Sequence, residues 1–413
     1  MAIADDGSGA RGSGLRAAVP GEPGGPAPDA GERIELSVVI PCLNEAATIA
    51  TCVQKARESL RRLGAAGEVV VADNGSTDGS RELAAGSGAR VVDAPGRGYG
   101  SALAAGVAAA RGTFVIMGDA DDSYDFLHLD RFVERLRAGD DLVVGNRFAG
   151  GIERGAMPFL HRYLGNPALT FVARRMFRTP AGDVYCGLRA FRKSAIERLD
   201  LRSAGMEYAI EMVVKASLQG LRVAEVPTTL SPDGRAGEPH LRTWRDGWRS
   251  LRFLLLYSPS WLFLYPGAAA MAVGTALSCV LLAGPRTIGD VTFDVHTLLF
   301  TALAVVVGYQ AVIFSVGAKI FAVAEGLLPA GARWSRLFRI VTLETGLCAG
   351  AALFAAGLGL SVYAFVHWER ESFGPLDYSS TMRLAIPAVT LLTLGSQTIL
   401  ASFFLSILGL KRA

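Results

Sequence analysis

The sequence has little that could staple it or bind a metal through sulfur. Its five cysteines, Cys42, Cys52, Cys186, Cys279 and Cys348, are odd in number and far apart. There is no Cys-x-x-Cys and no Cys/His cluster. That excludes a disulfide framework and a zinc site, and it predicts buried thiols in a reducing compartment. A strong charge of one sign is also missing. Charged residues are 19% and the formal net charge is +3, so no nucleic-acid partner is expected. Residues 1–33 are rich in Gly, Ala and Pro and hold almost nothing that could form a core, so they read as a disordered tail. They lack the apolar run of a signal peptide, which predicts that the folded part after them stays on the cytoplasmic side. No glycine-rich dinucleotide fingerprint follows the first predicted strand; Gly96-x-Gly98-x-Gly100 comes after the third and has the wrong spacing. A nicotinamide or flavin enzyme is set aside on that ground.

Apolar residues, in contrast, are plentiful. They make up 51% of the chain, with a mean hydropathy of +0.33. The excess lies toward the C-terminal end, which points to a membrane rather than to a large core.

Before that end, strand and helix patterns alternate with short connections. Strands are predicted at 36–40, closed by Pro41, and at 68–72, 90–92, 114–117 and 141–145. Helices fall between them, the pattern of a parallel sheet with right-handed crossovers. Polar clusters follow the strands and therefore gather along one edge of the sheet. The fourth strand, Phe114-Val115-Ile116-Met117, runs straight into Gly118-Asp119-Ala120-Asp121-Asp122. Two carboxylates one residue apart at the carboxyl end of a parallel strand sit where such sheets bind ligands. They can share a hard divalent cation, which in turn can hold a diphosphate. The plain alternative is an acidic loop between strand and helix.

Five ordered segments go further. Val39-Ile40-Pro41-Cys42-Leu43-Asn44-Glu45, Asp73-Asn74-Gly75-Ser76-Thr77-Asp78 and Asp119-Ala120-Asp121 resemble glycosyltransferase family 2 with the GT-A fold. Gly145-Asn146-Arg147-Phe148 and Asp183-Val184-Tyr185-Cys186-Gly187-Leu188-Arg189 are similar to the branch that makes dolichyl- or polyprenyl-phosphate hexoses. The resemblance spans roughly residues 36–257 and implies a nucleotide-sugar donor. Asp73 is similar to the aspartate that accepts a hydrogen bond from the base ring, although it could equally cap the next helix. Pro41, Asn44 and Glu45 look like the wall of the same pocket, and Ala120 belongs with the donor set. Asp119 and Asp121 are similar to the ligands of Mg²⁺ or Mn²⁺, which neutralises charge growing on the departing diphosphate. Some relatives complete the site with a Gln two residues on; here that place is Ser123, and the third ligand stays open. Arg97 is either a solvated loop residue or a cation facing the diphosphate.

The acceptor implied is a lipid monophosphate. Its second pKa is near 6, so it is already a nucleophile at neutral pH and needs no strong base. Guanidinium forks suit the holding of that dianion. Arg147 matches the family arginine; Arg162 is a second candidate or a structural ion pair, and Arg235 lies in a breaker-rich loop beside the site. Asp183 aligns with the acceptor-side aspartate, in an orienting rather than proton-abstracting role. Glu207 and Glu211 either face the rim or form a solvated helix face.

From Thr243 to Tyr257 the pattern is helical, with Trp244, Trp248, Leu251 and Leu255 on one face and Arg242, Arg245, Arg249 and Arg252 on another. That suits a helix lying in the headgroup layer, or one packed on the domain. Four apolar stretches follow near 261–283, 298–321, 341–366 and 384–410, each long enough to span a bilayer. Arg333, Arg336 and Arg339 lie between the second and third, and Lys411 and Arg412 follow the fourth. Acids such as Asp290, Asp294, Glu369, Glu371 and Asp377 lie in the other links. The positive-inside rule then puts the catalytic domain and C-terminus in the cytoplasm.

The expected architecture is a tail (1–33), a GT-A domain (34–230), an acceptor loop with an interfacial helix (231–258) and four transmembrane helices (259–413). The expected activity is inverting transfer of one hexose, UDP-glucose favoured and GDP-mannose compatible, onto polyprenyl phosphate at an integral membrane protein's cytoplasmic face. A homo-oligomer is compatible with these features. A processive polysaccharide synthase is the rival, but its Gln-x-x-Arg-Trp motif is missing. A non-catalytic membrane scaffold is the other, and the intact Asp119, Asp121 and Arg147 speak against it.

Overall fold

The computed structural model describes residues 33–234, 243–326, 328 and 342–409. The tail, Arg235, Arg242, the arginines at 333, 336 and 339, and the C-terminal Lys411 and Arg412 lie outside the described residues.

Seven strands form one sheet: β1 (Leu36–Cys42), β2 (Gly67–Asp73), β3 (Arg90–Asp93), β4 (Phe114–Met117), β5 (Leu142–Asn146), β6 (Arg189–Arg192) and β7 (Val223–Pro227), in the order β3-β2-β1-β4-β6-β5-β7. β1 and β4 are buried along their whole length, as near-continuous Val/Ile/Leu runs must be when helices cover both faces. β1 runs on through Pro41 to Cys42, three residues past its last β4 partner, Val39 opposite Met117. Truncating a fully buried central residue such as Ile116 to Ala should cost about 2–5 kcal/mol.

The five predicted strands run parallel to one another, but the sheet holds two more strands and one of them reverses direction. β6 runs antiparallel to both β4 and β5, with Ile116 opposite Ala190 and Val143 opposite the same residue. The reversal has a consequence for the site. An antiparallel strand begins where its neighbours end, so the loop leading into β6, residues 183–188, is delivered to the carboxyl edge beside Asp119 and Arg147.

The helices of this domain are α1 (Ile49–Arg62), α2 (Ser80–Gly86), α3 (Tyr99–Ala109), α4 (Asp130–Arg137), α5 (Arg147–Gly150), α6 (Asn166–Phe177), α7 (Lys193–Glu197) and α8 (Glu207–Leu218). α1 shows why they pack as they do: Ile49, Cys52, Val53, Ala56 and Leu60 repeat at helical spacing and are buried, while Gln54 and Arg61 stay outside. Helix α9 (Thr243–Leu256) lies against α6 and α8.

Four helices long and apolar enough to cross a membrane follow: Ser260–Leu282 (whose regular part is α10, Tyr265–Leu282), α11 (Val295–Ala324), α12 (Leu343–Arg370) and α13 (Tyr378–Gly409). Lipid gives no hydrophobic drive between helices, so close approach through small residues does the work. A side chain at Gly308 would overlap the Gly267 region of α10, and one at Gly395 would meet α12 at Gly350 and Phe354. Hydroxyl pairs join helices as well, Ser278 with Thr301 at 2.8 Å and Tyr309 with Thr398 at 2.6 Å. A short hairpin, β8 (Arg286–Ile288) and β9 (Val291–Phe293), fills the first link. Asp294 in that link pairs with Arg383 and accepts a hydrogen bond from Ser379 at 2.8 Å, so the first and third links meet at one end of the bundle.

Candidate active site

Four loops at the carboxyl edge build the site. The β2 loop is self-capped: the Asp73 carboxylate, buried, accepts from the backbone N–H of Gly75 (3.1 Å) and Ser76 and from Arg81 (2.8 Å). Burial pushes that carboxyl up, but the hydrogen bonds from Ser76 and Arg81 outweigh it and hold it below the usual range. Asp78 takes the other capping role, accepting from Ala46 N–H at 3.0 Å and Ser80 N–H at 3.1 Å. Asn44 adopts a left-handed φ of 57° and locks onto the same loop, its N–H on Ser76 Oγ and its Oδ1 on Thr77 N–H, each 2.9 Å. Glu45 is buried with its N–H on Ser80 Oγ at 2.8 Å, and Pro41 is buried at the end of β1. Asn44, Glu45 and Asp73 are therefore one interlocked surface.

Asn74 extends it. Its Nδ2 donates to Gly96 O (2.7 Å) and its Oδ1 accepts from Gly98 N–H (2.8 Å), tying the glycine loop to β2. The glycines themselves answer to packing: with φ 118° at Gly98, a Cβ there would overlap the carbonyl of Ala204. Arg97, between them, is exposed and makes no ion pair among the described residues.

The β4 loop carries the paired aspartates. Asp119 Oδ1 accepts from the Tyr99 hydroxyl at 2.8 Å, and its Oδ2 lies so close to Gly187 that a Cβ there would overlap it. Asp121 Oδ1 accepts from Ser123 N–H (3.1 Å) and Oγ (2.6 Å), so Ser123 supports the carboxylate. Ala120 is buried, and its carbonyl accepts from Cys52 Sγ at 3.4 Å. Asp122, at φ 58°, points instead to Lys55. The donor set is all oxygen and hard, which fits Mg²⁺ or Mn²⁺. No group of three or more His, Cys, Asp or Glu suited to a metal occurs among the described residues. A cation held by two carboxylates alone would keep most of its coordination places for other oxygen ligands.

Arg147, expected on the acceptor side, is already engaged by Asp183. Arg147 is not a bare cation: its Nε and Nη2 form a fork on the fully buried Asp183 at 2.7 and 2.8 Å, and its N–H also reaches that carboxylate at 3.2 Å. Glu225 in β7 accepts from Gly182 N–H and from Asp183 N–H (3.2 Å), fixing the loop from behind. Tyr124 accepts from Gly187 N–H at 2.8 Å. Arg162 turns to the carbonyl of Ile152 at 3.4 Å and lies over the Tyr163 ring at 5.5 Å, and it makes no ion pair among the described residues. Glu211 is not on a rim either. It is fully buried, accepts from Arg202 and Ser203 N–H groups and pairs with Lys215 at 2.7 Å. Glu207 pairs with Arg249 of α9 at 2.7 Å, while Trp244 and Trp248 of that helix remain 81% and 60% exposed.

Tyr99, Asn74, Lys55, Tyr124 and Glu225 were not singled out from sequence. Each acts on a partner at least 20 positions away, so periodicity carries no trace of them; the place of Tyr99 inside the glycine loop and that of Asn74 beside Asp73 were the signals.

The mixed sheet with paired aspartates at its carboxyl edge is a GT-A fold, here joined to four membrane-spanning helices. Residues 37–200 match the family description "Glycosyl transferase family 2", and residues 316–409 match "Glycosyltransferase family 2 C-terminal transmembrane region". The chain is 35% identical over 376 residues to the low-salt glycan biosynthesis hexosyltransferase Agl6 of Haloferax volcanii, covering 91% of this chain and 89% of that one. It is 33% identical over 181 residues to a dolichyl-phosphate hexose transferase of the same organism, covering 44% and 76%. Among solved structures, glucosyl-3-phosphoglycerate synthase from Mycobacterium tuberculosis in complex with Mg²⁺ and UDP is 24% identical, with a TM-score of 0.43 over 54% of this chain and 78% of that one. The chain belongs to glycosyltransferase family 2, and it is an integral membrane glycosyltransferase.

Proposed function

We propose that the protein transfers one hexose, with inversion, from a nucleoside-diphosphate sugar to a polyprenyl phosphate at the cytoplasmic membrane face. UDP-glucose is the favoured donor. One observation carries the reading. The loop that starts at Asp183, locked to Arg147, ends at Gly187 in contact with Asp119. A donor held by Asp119 and Asp121 and an acceptor held near Arg147 would then share one five-residue loop. The similarity to a dolichyl-phosphate hexose transferase supports the acceptor class.

Asp73 Oδ1, the less occupied of its two oxygens, receives the base N–H. Asp183 holds the Arg147 guanidinium in plane and leaves its remaining Nη for the acceptor phosphate. A phosphate oxygen of the dianionic acceptor forms the new bond to the anomeric carbon. The bond from that carbon to the diphosphate oxygen breaks, and the electron pair leaves with the nucleoside diphosphate. No proton need be removed, so a strong base is dispensable. A bound Mg²⁺ or Mn²⁺ supplies Lewis-acid neutralisation of charge on the departing diphosphate. Arg162 and Arg235 are the further acceptor-side cations, and Arg97 is the candidate on the diphosphate. The aromatic face of α9 suits the headgroup layer, with Trp244 and Trp248 outward.

The test is to incubate purified protein in lipid with a panel of nucleotide sugars and a polyprenyl phosphate. One sugar per lipid from UDP-glucose is expected. A polymer, or no lipid-linked product with any donor, would overturn the reading.

A further inference from the structure

The acidic run after β4 holds three aspartates, Asp119, Asp121 and Asp122, and the third is set apart from the other two. α1 takes the third. Lys55 Nζ binds both oxygens of Asp122, at 2.7 and 3.0 Å. Cys52, one turn earlier on the same face of α1, is fully buried and donates from Sγ to the carbonyl of Ala120 at 3.4 Å. Both contacts seize the loop from one side. Asp122 accordingly adopts φ 58°, a left-handed conformation that a non-glycine residue holds only when its surroundings dictate it. On the other side, Gly234 N–H donates to Asp121 O at 2.9 Å and Ser231 N–H to Ser123 O at 3.0 Å. The run is thus clamped between α1 and the 231–234 segment, with Asp122 turned toward the helix.

A third carboxylate in the set would matter. Affinity for hard divalent cations rises with the number of charged ligands, and a site with three would hold a cation without nucleotide. A site with two leaves coordination places for a diphosphate and binds metal well only in its company.

We propose that Lys55 is a positioning residue that withholds Asp122 from the cation site, so that the divalent metal binds and leaves together with the nucleoside diphosphate. This rests on the metal reading of Asp119 and Asp121. The pair is half exposed, and an ordinary surface ion pair would contribute little and leave metal affinity alone. Removing Lys55 therefore tightens metal binding on the first view and leaves it unchanged on the second.

The experiment measures Mn²⁺ binding by the full-length protein in lipid nanodiscs, by electron paramagnetic resonance, with and without UDP. For Lys55→Met, nucleotide-free Mn²⁺ affinity should tighten by roughly threefold or more, and the enhancement by UDP should shrink. Adding Asp122→Asn to that variant should restore the parental values. Asp122→Asn alone should leave Mn²⁺ affinity near parental, which keeps the idea open to refutation even if Lys55→Met folds badly. Unchanged or weaker metal binding in a folded Lys55→Met protein would reduce the pair to a packing tie. Loss of metal binding in Asp122→Asn would make Asp122 a ligand and overturn the inference alone. No Mn²⁺ binding by the parental protein, with or without UDP, would overturn the metal reading and this inference with it.

Discussion

Replacing Asp183 by Asn tests the buried fork most directly. The side chain keeps its shape, and one oxygen still accepts from a neighbouring N–H. The charge that matches Arg147 is gone, however, and Arg147 is itself only 8% exposed. Two charge-assisted hydrogen bonds, at 2.7 and 2.8 Å, are weakened or lost. Each is worth about 1.5–3 kcal/mol. Removing one partner of a buried ion pair costs about 3–5 kcal/mol, chiefly because the other charge stays buried and uncompensated. For a domain of this size that corresponds to a fall of roughly 6–20 °C in melting temperature. The assay is thermal unfolding by intrinsic fluorescence, with lipid transfer measured on the same preparation. Replacing both partners with apolar residues, Arg147→Met with Asp183→Leu, should return most of the stability, since no lone charge remains. Transfer should stay abolished, because the proposed acceptor cation is absent. If Asp183→Asn leaves the melting temperature within a degree of the parent, the fork does not hold Arg147. If the double variant transfers sugar, Arg147 has no part in binding the acceptor.

Asp121→Asn should abolish turnover with little loss of fold; full activity of that variant in chelator-treated buffer would remove Asp121 from the metal site. A reporter fused after Ala413 should lie on the same side as the catalytic domain, because the first and third links meet at one end of the bundle; a reporter on the opposite side would mean one span is misread. Glu211 predicts a pH dependence. Burial raises its carboxyl, but Lys215 and the N–H groups of Ser203 and Arg202 more than reverse this, so its folded value lies below the ordinary one of about 4.3. A depressed folded value contributes stability that is complete above the ordinary value and is lost as pH falls through the folded one. The stability gap between parent and Glu211→Gln, read by denaturant unfolding, should therefore be full at neutral pH and shrink below about pH 4. A gap that widens on acidification would refute the assignment.

Local pattern decided a good deal. Apolar runs of strand length, amphipathic helices such as α1 and four long apolar stretches each carry their own period, because burial on one face or two leaves that period in the chain. The first five strands and the four spans were legible for this reason, whereas β6 and β7 were not, and the aspartates after β4 were legible because strand and acidic loop are contiguous. What the chain could not show locally came from contacts between distant segments. The reversal of β6 depends on where α6 returns the chain, and no residue in Arg189–Arg192 signals direction. Arg147 and Asp183 were each visible as motif residues. Their union is set by the docking of β6 beside β5, which brings two side chains 36 positions apart into one buried fork. Glu211 looked like half of a helix face until the fold closed the 202–203 loop over it. Lys55, an unremarkable cation on an amphipathic helix, became a neighbour of Asp122 only when α1 packed against β1 and β2, beside the loop that leaves β4. Sequence determined which residues carry charge and which segments are periodic enough to form strands, helices and spans; tertiary packing decided which of those charges are buried against one another, because a buried charge must find its partner wherever the fold supplies one.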